Sequence, residues 1–527
     1  MARALAAAIA VSLLAVSGAG GAGTQTPKRG GTIVIGAYGQ PPCLSLQSVC
    51  GVGLEHTVVL GGTFGLKGHR WVPGLARVTR TKDPLTLVYH IRPEARWSDG
   101  TAVTSGDFVF THRLWIRYGL VRLGETVWSR VQPLGRKSFR VTLARRSADW
   151  RVYPLFVAPR HALAGEDLSS VWRDTIDNPK TGEPIGSGPF LVERFERGEQ
   201  ITLVRNPRYW GPHTAYLDRV VVRLVPRGLA GVDALLQGEI DVLPTPLPEE
   251  AVTRLRRAPG IELRVYPGIA WEQLAIRVGP GGHPALKNKL VRRALAYGID
   301  REAIVRELFG EIDRTLRPLD SLLFLSEESG YRPNWRSYRY RPAEARRLLE
   351  QAGCQRGADG IYACGRERLS LRFVTTAGNP RRQRTLELAQ AQLRGVGIEV
   401  RPIYSPGTVL FGQLLPSGEW DVALFALSKN WPEDLPDAAY RCQGDFNFSG
   451  YCNRLVTRDL AQLDAIIDSE QLARVGNAAD RKLARDVPAI PLFQRPEVDA
   501  IRTTVRIPDP PSAYAFYLNL QDWWLER

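Results

Sequence analysis
Residues 185–211, IGSGPFLVERFERGEQITLVRNPRYWG, constrain this chain more tightly than any other stretch. Two runs that alternate apolar and polar residues are separated by Gly198 and Glu199. They are opened by a turn at Gly186, Gly188 and Pro189, and closed by Asn206 and Pro207. Alternation with a period of two is the pattern of a strand, and a glycine-containing break between two such runs reads as an antiparallel hairpin.

The rest of the chain divides into similar local signals. Residues 30–37 read as a strand running into a Gly/Pro-rich loop at 38–53, and residues 85–91 alternate as another strand. After a turn at Trp97, Ser98, Asp99 and Gly100, a helix begins near Val103 with Thr104 as its N-cap. Residues 217–225 form a strand, and residues 232–242 a short helix and strand with Gly238 at the helix end. Residues 287–310 read as two helices broken near Gly298, the second capped by Asp300 and ended by Gly310. Strands at 369–374, 398–403 and 421–426 enclose a helix whose Leu386, Ala389 and Leu393 share one face. That order and spacing predict a parallel βαβ unit, hence an α/β lobe in the second half.

At 527 residues the chain exceeds a single compact core and calls for two or three domains. Residues 1–23 place Arg3 before an apolar run and then small residues, the order of a secretory signal peptide, so the mature protein is expected to be exported. No cysteine follows that run until Cys43, so no lipoprotein anchor is encoded there. The six cysteines fall into local pairs, Cys43 with Cys50, Cys354 with Cys364 and Cys442 with Cys452. In an exported chain this points to small-loop disulfides rather than a metal site, since C-x-x-C is absent and the histidines are scattered. The formal net charge of +16 is dispersed along the chain instead of gathered in runs, which favours a basic solvated surface over a nucleic-acid site. Residues 18–23 match G-x-G-x-x-G but lie in the signal region without a βαβ context. No zinc-protease, nucleophile-elbow or Walker sequence occurs, so no enzymatic activity, cofactor or metal is expected.

Four ordered segments resemble one family. These are W-S-D-G-T-x-V-T-x-x-D-F-V-F at 97–110, the 185–211 hairpin, the A-L-x-x-G-E-I-D segment at 234–241, and V-R-R-A-L-A-Y-G-I-D-R at 291–301, where Gly298 replaces a usual alanine. Together with residues 486–493 and Asp522, Trp523 and Trp524 they are similar to the family 5 extracellular solute-binding proteins, the substrate-binding subunits of peptide- or nickel-type ABC importers. The resemblance implies an α/β, two-lobed periplasmic binding protein (type II, cluster C-like) with an extra domain in the N-terminal lobe. On that plan residues 24–60, 185–265 and 495–527 form domain I, 61–184 domain II, and 266–494 the C-terminal lobe, with crossovers near 265–270 and 492–498. It further implies a monomer that takes an oligopeptide or related solute between its lobes. The loaded protein then meets an ABC permease at the outer face of the cytoplasmic membrane, in the periplasm or outside the cell, with no nucleic acid involved.

In the family's peptide binders, the strand corresponding to 421–426 runs into a segment whose aspartate pairs with the peptide's α-amine. Aligned without gaps, that segment is Leu427, Ser428, Lys429, Asn430, Trp431, Pro432, Glu433, Asp434, so Asn430 stands at the aspartate position. An amide carries no charge, and Lys429 adds a positive one. Either Glu433 or Asp434 serves from a shifted position, or the ligand is not a free-amine peptide. The expected ligand residues are Ser428, Lys429, Asn430 and Trp431, Trp271 and Gln273 on the strand after the crossover, the loop residues Gly51, Val52 and Gly53, and Tyr38. Trp271 is equally readable as a packed aromatic. A secreted hydrolase and a polyanion-binding surface protein stand as alternatives.

Overall fold
The computed structural model describes residues 26–46, 54–67, 70–118, 127–244, 247, 249–508 and 519–526. The signal-like residues 1–23, Cys50 and the loop residues Gly51, Val52 and Gly53 lie outside the described residues. Two large apolar cores organise the molecule. One gathers Ile33, Trp97, Phe139, Phe190 and Trp523 in an N-terminal lobe, and the other gathers Leu295, Trp335, Phe373 and Leu483 in a C-terminal lobe.

A mixed sheet runs through both lobes. Its order from the C-terminal lobe outward is Glu399–Ser405, Ser370–Thr376, Val422–Ser428, Ile261–Ile276, Ala489–Arg502, Val242–Leu243, Thr32–Ala37, Arg219–Leu224, Gln200–Arg205, Phe190–Glu196. Ser370–Thr376 pairs in parallel with Glu399–Ser405 and with Val422–Ser428, and the helix Pro380–Gly395 connects the first pair, which is the expected βαβ unit. A separate antiparallel sheet of Ala76–Arg80, Thr86–Ile91, Ser138–Leu143 and Trp128–Gly135 belongs to the N-terminal lobe.

The lobes are joined by two strands, each a single long element rather than a strand broken at a crossover. Ile261–Ile276 pairs antiparallel with Ala489–Arg502 from Ile261 opposite Arg502 to Ala275 opposite Ala489, with register shifts between Pro267 and Trp271 and between Glu272 and Gln273. Pro267 faces Pro496 at the first shift. Proline donates no ladder hydrogen bond, so the ribbon is weakest where both strands place one.

The 185–211 segment forms the expected hairpin, with Phe190 opposite Arg205 and Glu196 opposite Gln200. Gly198 closes it at φ +76°. Gly186 and Gly188 do more than turn the chain: a Cβ on Gly188 would lie 1.8 Å from the Val58 carbonyl oxygen, and one on Gly186 2.4 Å from that of Val59. The Gly188 N–H donates to the Val59 carbonyl at 2.7 Å, so the helix Leu54–Leu60 is seated against bare backbone. Asn206 closes the other end by donating to the Gly188 carbonyl at 2.9 Å.

Other family-like segments have equally local reasons. Thr104 precedes the helix Ser105–Tyr118, yet its hydroxyl and N–H both donate to the Asp107 carboxylate, at 3.0 and 2.7 Å. The capping carboxylate therefore comes from inside the first turn. Arg292 and Arg301, buried in the helices Lys289–Gly298 and Arg301–Phe309, spread their guanidiniums over backbone carbonyls. Arg292 takes those of Leu286, Lys287, Asp486 and Val487, while Arg301 takes those of Leu319, Pro491, Trp335 and Tyr338 and the Asp320 carboxylate. Asp300 caps the second helix through the Ala303 N–H at 2.8 Å. Cys354 bonds Cys364 and Cys442 bonds Cys452, and Cys43 is also disulfide-bonded. No helix among the described residues is long and apolar enough to cross a membrane.

Candidate functional site
Parallel strands in both lobes end toward connecting loops, the usual location of ligands in α/β folds. In the C-terminal lobe the relevant end is that of Val422–Ser428, where residues 428–434 leave the sheet. The Lys429 N–H is still held by the Ile269 carbonyl at 3.0 Å, and beyond it the chain turns.

The turn is built by its own polar groups. Asn430 is exposed, and both its backbone N–H and its side-chain amide donate to Oδ2 of Asp434, each at 2.9 Å. Lys429 points the other way: its ammonium is fully buried, donating to Oε1 of Glu328 at 2.5 Å and to the Pro432 carbonyl at 2.7 Å, with the Phe324 ring 5.9 Å away. A desolvated ammonium needs such partners, so Lys429 fixes the loop from beneath instead of offering its charge to a ligand. Ser428 is exposed at the strand end and Trp431 is half-buried.

Two more expected ligand residues face protein. Trp271 is 1% exposed and packs with Leu319 and Leu325, its indole N–H buried without a hydrogen-bond partner among the described residues. Gln273, also 1% exposed, accepts a hydrogen bond from the Tyr440 hydroxyl at 2.6 Å. Both belong to the stretch 271–276 of Ile261–Ile276, which is buried on both faces between neighbouring strands and the packed elements of the C-terminal lobe. Tyr38 lies in the other lobe, half-buried against a small core around Val225 and Val232, with Arg227 5.4 Å over its ring; burial raises its phenol pKa. The structure thus brings residues 428–431 together and leaves Trp271, Gln273 and Tyr38 in packed surroundings.

The sequence did not signal which residues meet across the gap. Glu433 reaches the N-terminal lobe, accepting a hydrogen bond from the Trp71 indole at 2.8 Å and lying 4.0 Å from an Arg151 nitrogen. Arg80 donates to the Ile467 carbonyl at 3.3 Å, and Arg256 to the Ile312 carbonyl at 2.7 Å, so polar groups bridge the lobes at well-separated places. Between them lies a cavity of about 280 Å³, lined by Arg70, Trp71 and Arg151 from one side and by Phe324, Pro432 and Leu472 among others from the opposite side. At the strand ribbon, the buried carboxylate of Glu272 is clasped by Arg382 at 3.1 Å and by Arg495. These partners are distant in sequence and carry no local pattern.

Residues 70–447 match the family profile described as Bacterial extracellular solute-binding proteins, family 5 Middle. The oligopeptide-binding protein OppA of Mycobacterium tuberculosis (strain ATCC 25618 / H37Rv) is 27% identical over 436 residues, covering 81% of this chain and 72% of its own length. The oligopeptide-binding protein AppA of Bacillus subtilis (strain 168) is 23% identical over 525 residues, covering 95% of this chain and 93% of its own. Among solved structures, the periplasmic EDTA-binding protein EppA superposes with a TM-score of 0.77 at 20% identity, covering 95% of this chain and 98% of that one. The Bacillus subtilis AppA complex with a nonapeptide does so with a TM-score of 0.65 at 21% identity, covering 95% and 100%. At these identities the structural likeness speaks for the fold.

Proposed function
The chain belongs to the bacterial extracellular solute-binding proteins of family 5, and from that premise we propose that it binds a peptide-like solute at residues 428–434 without relying on a free α-amine. It is the substrate-binding component of an ABC importer, holding its solute between two lobes for delivery to a membrane permease. Peptide-like describes the class, taken from the oligopeptide-binding relatives. Our reading of the remainder is a monomer, exported by residues 1–23, working at the outer face of the cytoplasmic membrane and catalysing no reaction.

One observation carries the ligand reading. Each of the three carboxylates around the loop already has a protein donor: Asp434 has Asn430, Glu433 has Trp71, and Glu328 has Lys429. Neither Glu433 nor Asp434 stands as an uncommitted replacement for the aspartate missing at 430. Asn430 and Trp71 fix the orientation of these two carboxylates, and position 430 itself offers an uncharged amide, so a free α-amine has no dedicated charged partner in this arrangement.

The test is a set of tri- to pentapeptides offered as free amines and as N-acetylated forms, with retention read by native mass spectrometry and affinities by calorimetry. Binding of the two forms within about threefold of each other is expected, a difference under about 1 kcal/mol. A preference for the free amine of tenfold or more would overturn the reading.

A further inference from the structure
We propose that the open face of the antiparallel sheet in the N-terminal lobe is a docking surface for an anionic phospholipid bilayer, with Arg77, Arg130 and Arg140 as its contacts. This surface is distinct from residues 428–434, and its role is independent of which solute is held there.

The strands Ala76–Arg80, Thr86–Ile91, Ser138–Leu143 and Trp128–Gly135 bury alternate residues, among them Leu87, Tyr89, Phe139 and Val141, in the N-terminal core. The intervening residues point to the opposite side. Register places Arg77 opposite His90, Arg140 opposite Val88 and Gln132, and Arg130 opposite Thr142. Arg77, His90, Arg130 and Arg140 are all exposed. The four strands contain no aspartate or glutamate, and the three guanidiniums make no hydrogen bond or ion pair among the described residues. The carboxylates of the adjoining turns, Asp83 and Glu94, are engaged by Thr86 and Arg92. Leu134, the extra residue where the register shifts between Pro133 and Gly135, adds an apolar side chain that is 48% exposed.

Arginines in the mixed sheet of the same lobe are not left this way. Arg194 meets Glu196 at 2.8 Å, Arg205 meets Asp218 at 2.7 Å, and Arg219 meets Glu193 at 2.6 Å. Like charges gathered on one sheet face repel, and among the described residues no carboxylate pairs with these three. Such a face fits a partner that supplies anions over a comparable area. Strands about 4.8 Å apart set the outer two about 14 Å apart, wide enough to meet several phosphate groups at once. A bilayer of anionic lipids presents that array, and an exposed leucine at the rim of the contact enters the boundary of its acyl chains. The arginine fork suits the contact because it pairs with two phosphate oxygens together. Docking by this face keeps the protein beside the membrane in which a permease sits.

The experiment measures co-sedimentation of the protein with vesicles of phosphatidylcholine alone, or of an equal mixture of phosphatidylcholine and phosphatidylglycerol, at low and high salt. Retention on the mixed vesicles only is expected, falling as salt rises. An arginine near an anionic surface is worth about fivefold in binding, so replacing Arg77, Arg130 and Arg140 together by Gln is expected to weaken retention on the order of a hundredfold. Replacing Arg336, Arg474 and Arg481 together by Gln removes the same charge from exposed positions of the C-terminal lobe, and is expected to weaken retention no more than about threefold. Leu134→Ser is expected to weaken it about threefold. The changed residues are all exposed, and thermal unfolding checks that each variant keeps its fold. Equal losses in the two triple variants reduce the effect to net charge and overturn the docking face, as does retention on neither vesicle. Capture of soluble polyphosphate without retention on vesicles overturns the bilayer in favour of a soluble polyanion. Solute binding is read separately with the peptides above, so failure here leaves that reading intact.

Discussion

At Lys429 an ammonium group sits fully buried beneath the loop 428–434, with the Glu328 carboxylate and the Pro432 carbonyl as its acceptors. Two readings of such a residue make opposite demands. Truncating a side chain that touches only the ligand changes affinity and spares the fold, whereas breaking a buried pair leaves an uncompensated charge and typically costs about 3–5 kcal/mol of stability. Lys429→Met is therefore expected to lower the melting temperature by several degrees. Adding Glu328→Gln should recover most of the loss, because no lone charge then remains in the interior. Differential scanning calorimetry on the single and double variants checks this, and an unchanged melting temperature in Lys429→Met would refute the structural role. Asn430 next to it is the complementary case. Its amide donates to the Asp434 carboxylate, and an aspartate there would set two negative charges side by side.

The hairpin Phe190–Glu196 with Gln200–Arg205 shows what local sequence does reveal. Alternation, a positive-φ glycine and a terminal Asn-Pro act within a few residues, so the element, its partner strand and its closing turn were legible. So were the βαβ unit and the Asp300 cap, and the disulfides at Cys354–Cys364 and Cys442–Cys452 followed from pairs ten residues apart. The reason for Gly188 was not, since it lies in a different element: the Val58 carbonyl occupies the space a Cβ would need. Gly188→Ala must displace the backbone of the helix Leu54–Leu60 and is expected to cost at least about 2 kcal/mol. Thermal unfolding followed by circular dichroism measures this, with Gly39→Ala as a control because a Cβ there meets nothing within 4 Å. Equal losses in the two variants would mean that close approach is not what requires the glycine. The candidate site was hidden for the same reason on a larger scale. Lys429 and Glu328 are 101 residues apart and Trp71 and Glu433 are 362 apart, so no window of sequence contains either pair.

Over the whole molecule, the weak point of the strand ribbon and the bonds between the lobes are expected to work as a hinge and a latch. Opposed Pro267 and Pro496 remove ladder donors where the register shifts, so bending there costs few hydrogen bonds. Among the described residues side chains reach across between the lobes, and Trp71 to Glu433 is one such link with a charged acceptor within hydrogen-bond range. A hydrogen bond to a charged group is worth about 1.5–3 kcal/mol, enough to change an open-to-closed ratio by roughly tenfold to a hundredfold. Trp71→Phe keeps the ring and removes only the donor, leaving Glu433 and Arg151 in place. It is expected to raise the radius of gyration in small-angle X-ray scattering without ligand, and to weaken every bound peptide by a similar factor, since each must now supply the closure energy itself. Scattering curves that coincide for wild type and Trp71→Phe, with unchanged affinities, would show that closure is held elsewhere along the interface.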